Sequence, residues 1–237
     1  MLKRIYTYKI LINSRFLVAA FLSISLFIIS CSELKKSRNQ GIIEYEVIYL
    51  DSEEEYPVIG LMPEIMTVSF NSKCSKSKMV GFLGFFSTQI ISDTKERVNY
   101  TLIKIQGKKY VCKETLDDGP FVNNNYENVN IEYASETKEI AGFLCKKAIV
   151  TFPNDKKNPI EVFYTDEINF SDPNKNTPFA AIEGVLLEFQ LKLYKINMKF
   201  VASEIQHVDI PKEEFEIPPD YEFVTKEKIE ELINDFI

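Results

Sequence analysis

The chain has no tryptophan, one histidine (His207), four cysteines and only eight glycines in 237 residues. Each scarcity closes off some chemistry. One histidine cannot make a paired-histidine metal motif such as H-E-x-x-H. The glycines form neither a P-loop nor a dinucleotide fingerprint, and there is no G-x-S-x-G nucleophile elbow. No two cysteines stand as C-x-x-C, the spacing used for zinc and for thiol redox work. A Cys145/His207 nucleophile pair has no sequence support. Basic patches interleaved with aromatics are missing as well, which argues against nucleic-acid binding. The expectation is a chain without catalytic residues, metal ligands or cofactor.

What is present begins at the N-terminus. Lys3, Arg4, Lys9 and Arg15 precede an apolar run, Phe16 to Ser30, that ends at Cys31. This is the charge-then-apolar layout of an export signal. Ile28-Ile29-Ser30-Cys31 is similar to the lipobox of bacterial lipoproteins, in which the cysteine thiol carries a diacylglycerol and becomes the new N-terminus. Asn13, Ser14 and Arg15 interrupt the run before it reaches the roughly 20 residues of a spanning helix. The reading is a lipoprotein signal over 1–30, with an uncleaved anchor or ordinary secretion as alternatives. Cys31 is the lipid-attachment residue, and labelled palmitate is the natural probe of it. Residues 31–41, polar and rich in Lys and Ser, read as a tether.

Removing 1–30 takes away four basic and no acidic residues, so 24 basic face 35 acidic, a net charge of −11. An acidic surface does not adhere to anionic lipid, so membrane attachment falls to the anchor. The expected address is the bacterial cell envelope. Ser32-Glu33 does not sort the chain clearly between membranes; the outer membrane, facing the periplasm, is placed ahead of the inner membrane and the cell surface.

Residues 42–237 read as a single β-rich domain. Apolar and polar residues alternate in Ile43–Tyr49, Met66–Phe70, Val129–Tyr133, Val185–Leu193 and Ile196–Phe200, as in strands with one buried and one wet face. One-sided strands suit antiparallel sheet. Turn signals stand at Gly107-Lys108, Asp117 to Pro120, Asn123 to Asn125, Pro153 to Asp155 and Phe170 to Pro178. Helix is scarce and clearest at about 226–236, where Thr225 can cap and Ile229, Leu232, Ile233, Phe236 and Ile237 recur at helical spacing. That helix packs on the sheet or meets a partner. Lys76 to Gln89 is ambiguous: a strand, ordinary core, or an apolar segment between Gly81 and Gly84 at the mouth of a cavity.

Adjacent carboxylates, as at Glu53 to Glu55, Asp117-Asp118 and Glu213-Glu214, read as solvated faces. A glycosidase would need two carboxylates facing across a cleft. In an oxidising compartment one disulfide is plausible among Cys74, Cys112 and Cys145. Cys112–Cys145 is favoured, because both residues sit in strand-like segments while Cys74 lies in a Ser/Lys-rich stretch resembling an exposed turn. Free thiols are the alternative.

Ile140-Ala141-Gly142-Phe143-Leu144-Cys145-Lys146-Lys147-Ala148, then Val162 to Ile168 and the Gly184-centred segment to Phe189, form a pattern. It resembles the GLPGLI family of exported Bacteroidetes proteins, within the broad LolA/LolB-like group of lipoprotein carriers. The resemblance implies a curved antiparallel half-barrel with an apolar concave face covered by helix. It brings no catalytic residues. It implies an acyl chain or a lipoprotein as ligand, held among Val185, Leu187, Phe189, Met198 and Phe200. If the barrel is filled, the same residues are plain core. The domain is then an envelope interaction module with a protein partner, and a carboxylate-based hydrolase is a third reading.

Overall fold

The computed structural model describes residues 39–116, 129–153, 155–175, 177–193 and 195–236. Cys31, the export signal, most of the tether and the turn signals at 117–125 lie outside the described residues.

Twelve strands form one curved, unclosed sheet. In chain order they are β1 (Gly41–Tyr49), β2 (Ile65–Phe70), β3 (Cys74–Val80), β4 (Phe86–Asp93), β5 (Val98–Ile105) and β6 (Lys108–Thr115). After these come β7 (Asn130–Ile140), β8 (Phe143–Phe152), β9 (Asp155–Thr165), β10 (Val185–Leu193), β11 (Ile196–Gln206) and β12 (Glu222–Phe223). The lateral order is β12-β6-β5-β4-β3-β2-β1-β11-β10-β9-β8-β7. Neighbours are antiparallel except β12, which runs parallel to β6. The expected half-barrel is therefore the observed architecture, an open sheet with one C-terminal helix, α1 (Lys226–Phe236), packed on it.

Alternation explains most strands. In β1, Ile43, Tyr45 and Val47 are buried while Glu46 and Ile48 are exposed. In β11, Ile196, Met198, Phe200 and Ala202 are buried in turn. Two sharp hairpins use left-handed backbone. Ala141 and Gly142 (φ 48° and 80°) join β7 to β8, and Gln106 and Gly107 (φ 50° and 82°) join β5 to β6. Positive φ at both central residues is the hairpin geometry that matches strand twist, and glycine adopts it without steric cost.

The central sheet is covered on both faces. After β11 the chain crosses the convex side, where Phe215, Ile217 and Tyr221 pack on Ile91, Leu102 and Val111. It then pairs with β6 through β12 and enters the concave side as α1. Thr225 Oγ1 accepts from the Lys228 N–H at the helix start, the expected cap. Ile229 and Ile233, one turn apart, are buried, and Phe236 stacks on Phe86 with ring centroids 4.8 Å apart.

At the other end the sheet curls and fills. Ala148, Val150, Val162 and Leu187 have no exposed surface. Glu188, 6% exposed, receives the ammonium groups of Lys138 on β7 and Lys199 on β11, which ties the last strand back across the curl.

The expected Cys112–Cys145 disulfide is not formed: Cys74, Cys112 and Cys145 are all free. Cys112 is on β6 and Cys145 on β8, and eight strands lie between these two in the sheet order. The thiols face separate neighbours, Glu114 and the Phe143 carbonyl. Burial pushes both thiols up to about 11. Cys74 is not in an exposed turn; it opens β3, beside Asp93 of β4.

Candidate functional site

The concave face between β1–β4, β10–β11 and α1 holds a cavity of about 210 Å³. Its floor is aromatic and apolar. Phe189 and Phe200 stack at 4.9 Å, Tyr45 meets Phe189 edge-on at 5.8 Å, and Phe179 supports Phe189 from behind at 6.2 Å. Aromatic pairs in these geometries hold their rings in place beyond simple area burial. The Tyr45 hydroxyl donates to the Leu186 carbonyl at 2.8 Å, so the one polar atom of the floor is occupied. Burial, then the nearby Cys145, drives its pKa upward. Met66, Val68, Leu191 and Met198 extend the apolar wall, and Ile233 of α1 and Phe170 border it.

The loop between β9 and β10 forms a further wall. Phe170 stacks on Phe70 at 5.1 Å. The Asn174 amide donates to the carbonyls of Ile182 and Gly184, both at 2.8 Å, and Thr177 Oγ1 donates to the Asn174 carbonyl. The loop's main polar groups are thus used to hold its own shape. Gly184 permits a close approach: a side chain there would meet Tyr164 and the Thr165 carbonyl at 2.8 Å.

Of the residues expected to hold a ligand, Val185, Phe189, Met198 and Phe200 line the cavity. Leu187 does not; it is fully buried in the core. The reason is a bulge. Leu186 pairs with Tyr164 and Glu188 with Phe163, so one extra residue sits in β10. A bulge breaks strict alternation. Leu186 joins the cavity lining in consequence.

Sequence reasoning missed the opposite wall. Ser75, Ser77, Thr88, Ile90 and Ser92 line the cavity from β3 and β4. The ambiguous stretch from Lys76 to Gln89 resolves into these two strands around a 3-10 turn, Phe82–Gly84. Met79 and Phe86, flanking the turn, line the cavity, while Phe82, Leu83 and Phe85 are exposed at its tip.

The Ile140–Ala148 motif lies in the curled end rather than at the cavity. Its glycine makes the β7–β8 turn. Cys145 and Ala148 fill core, Lys146 pairs with Asp166, and Lys147 with Glu136 and Glu161. His207 packs edge-on against Phe143 at 6.1 Å, and neither ring nitrogen has a hydrogen-bond partner. It therefore makes no bond to Cys145. Among the described residues no group of three or more His, Cys, Asp or Glu is arranged to hold a metal, and no helix is long and apolar enough to cross a membrane.

No family model and no curated protein matches the chain. Solved structures do. PNGF-II is similar over 83% of this chain at 12% identity with a TM-score of 0.50, and this chain spans 33% of it. That likeness is one of fold. MucB is similar over 77% of this chain and 59% of its own length (9% identity, TM-score 0.33). LprF from Mycobacterium bovis is similar over 75% of this chain and 91% of its own length (14% identity, TM-score 0.30).

Proposed function

We propose that the protein is a lipid-anchored component of a bacterial cell envelope. It binds an acyl chain, a lipoprotein or another apolar ligand in the hollow of its half-barrel, without catalysis. The observation that carries this reading is the cavity with a stacked aromatic floor, Phe189 on Phe200, bordered by Ile233 of the C-terminal helix. Ligand sites are typically concave and mostly apolar with a few placed polar groups. Cys31 at the end of its basic and apolar leader supports the anchor, and the Ile140–Ala148 motif supports a place among the GLPGLI-like, LolA/LolB-like carriers.

Binding of the fluorescent probe N-phenylnaphthylamine to the purified full chain, with native mass spectrometry for co-purified lipid, tests the proposal. Leu191→Trp, which fills the hollow, is expected to weaken probe binding about tenfold, the size of one lost apolar contact set of about 1.4 kcal/mol. A chain that carries no lipid and binds no probe has lost the carrier reading.

A second reading, an envelope interaction module, has one observation in its favour. Phe82, Leu83 and Phe85 are 59%, 77% and 62% exposed on one turn. It predicts that no probe binds and that Phe82→Ser with Phe85→Ser abolishes capture of an envelope protein partner by the domain.

A further inference from the structure

The cavity has two unlike walls. Phe189, Leu191, Met198 and Phe200 of β10 and β11 offer only carbon and sulfur, while β3 and β4 offer hydroxyls. Strand pairing sets Ser75 opposite Ser92 and Met79 opposite Thr88, so Ser75, Ser77, Thr88 and Ser92 fall in one patch. Among the described residues, the hydroxyls of Ser75, Ser77 and Thr88 have no hydrogen-bond partner. A hydroxyl can both donate and accept, so the patch accommodates either half of a hydrogen bond from a ligand.

Charge is missing from the same surface. Among the described residues the lining contains no Asp, Glu, Arg or His, and its one lysine is Lys78. Lys78 alternates with Ser77 and Met79 and so shares the face of Lys76, whose ammonium donates to the Glu214 carbonyl on the convex side. The Lys78 side chain is thereby directed away from the hollow. An ion placed against these hydroxyls would lose hydration and gain no counter-charge, which is costly. The volume of about 210 Å³ compares with the roughly 150 Å³ apolar cavity that takes up one benzene, so it has room for one short tail rather than two.

Resting on the binding reading above, we infer that the cavity selects a single-tailed amphiphile whose head is uncharged and hydrogen-bonding, a hydroxyl, ester or amide. It discriminates against the carboxylate of a fatty acid with the same tail. The tail lies on Phe189 and Phe200, and the head meets Ser77 and Thr88.

The test is displacement of N-phenylnaphthylamine from the full chain by three ligands of one tail length: monodecanoylglycerol, decanoate and decyltrimethylammonium. It is run at about pH 8, where decanoate is ionised. Monodecanoylglycerol is expected to displace the probe at concentrations about tenfold or more below either ion, because only the ions need a counter-charge. Ser77→Val with Thr88→Val is expected to weaken monodecanoylglycerol about fivefold relative to the probe on the same variant, the size of a lost neutral hydrogen bond. Ser77→Ala is the milder companion should the double variant fold poorly. Decanoate binding as well as monodecanoylglycerol, or a variant that keeps full affinity for it, overturns the inference with the carrier reading intact. Failure of the probe itself to bind sinks the carrier reading, and this inference falls with it.

Discussion

The two halves of the sheet are built from the same alternating strands and come to opposite ends. In the curled half, β7 to β10, the inward side chains meet one another, and Ala148, Val150, Val162 and Leu187 are wholly buried. In the broad half, β2 to β4, the inward positions include Ser75, Ser77 and Thr88, which are too short to reach the facing wall. Inward size decides between core and hollow; curvature alone does not. Strand β10 belongs to both halves, since Leu187 sits in the filled part and Leu191 in the cavity wall.

That division can be broken on one strand. Leu187→Ala is expected to cost about 3 kcal/mol, because a packed site cannot collapse around the lost methyl groups. Leu191→Ala, at a wall already facing empty space, is expected to cost about 1 kcal/mol. Urea unfolding of both variants measures the difference. Equal losses would mean that the two halves are packed alike.

The next effect is electrostatic and belongs to the curled half. Burial pushes the Glu188 carboxyl up, but hydrogen bonds from Lys138 and Lys199 outweigh it and hold the pKa below the ordinary 4.5. A depressed carboxyl stabilises the fold above its unfolded value and loses that contribution as pH falls through the folded one. Glu188→Gln is expected to cost about 1 kcal/mol at neutral pH, discounted because both lysines are partly exposed. As the pH falls below the ordinary carboxylate range and through the lowered pKa of Glu188, the wild type should converge on the variant. A constant gap across a urea-unfolding pH series would remove the ion pairs as the tie across the curl.

The smallest effect sharpens the comparison from β5, the strand next to the broad half. Thr101 on β5 is fully buried, and its hydroxyl has no partner. An unmet buried hydroxyl costs stability, and an apolar group of the same shape removes the cost. Thr101→Val should therefore leave the thermal midpoint unchanged or raise it, by about 0.5 kcal/mol in stability terms. A clear loss would show that the hydroxyl has a partner after all.

Much of the fold was legible in single strands. Ile43, Tyr45 and Val47 announce the inward face of β1, and the spacing of Ile229 and Ile233 announces α1. The site was half legible. Phe189, Met198 and Phe200 were found because apolar residues at period two mark a face. Leu187 was misplaced because its bulge depends on the register with β9, a partner that no local pattern names. The hydroxyl patch was hidden for another reason. Ser75-Lys76-Ser77-Lys78 is polar on both faces, so it resembles a turn although it alternates like a strand. The disulfide preference failed because two strand-like segments carry no information about their distance across a sheet.

The pairing of β1 with β11 has a consequence in time. It joins Ile43 to Ile205, so the first of the described strands must wait for almost the whole chain before it acquires one of its two neighbours. Contacts between such distant residues fold slowly, because a long loop must close before they form. Until then β1 presents an open edge, and neither the hollow nor its helix exists. The hollow is therefore the last thing this polypeptide completes.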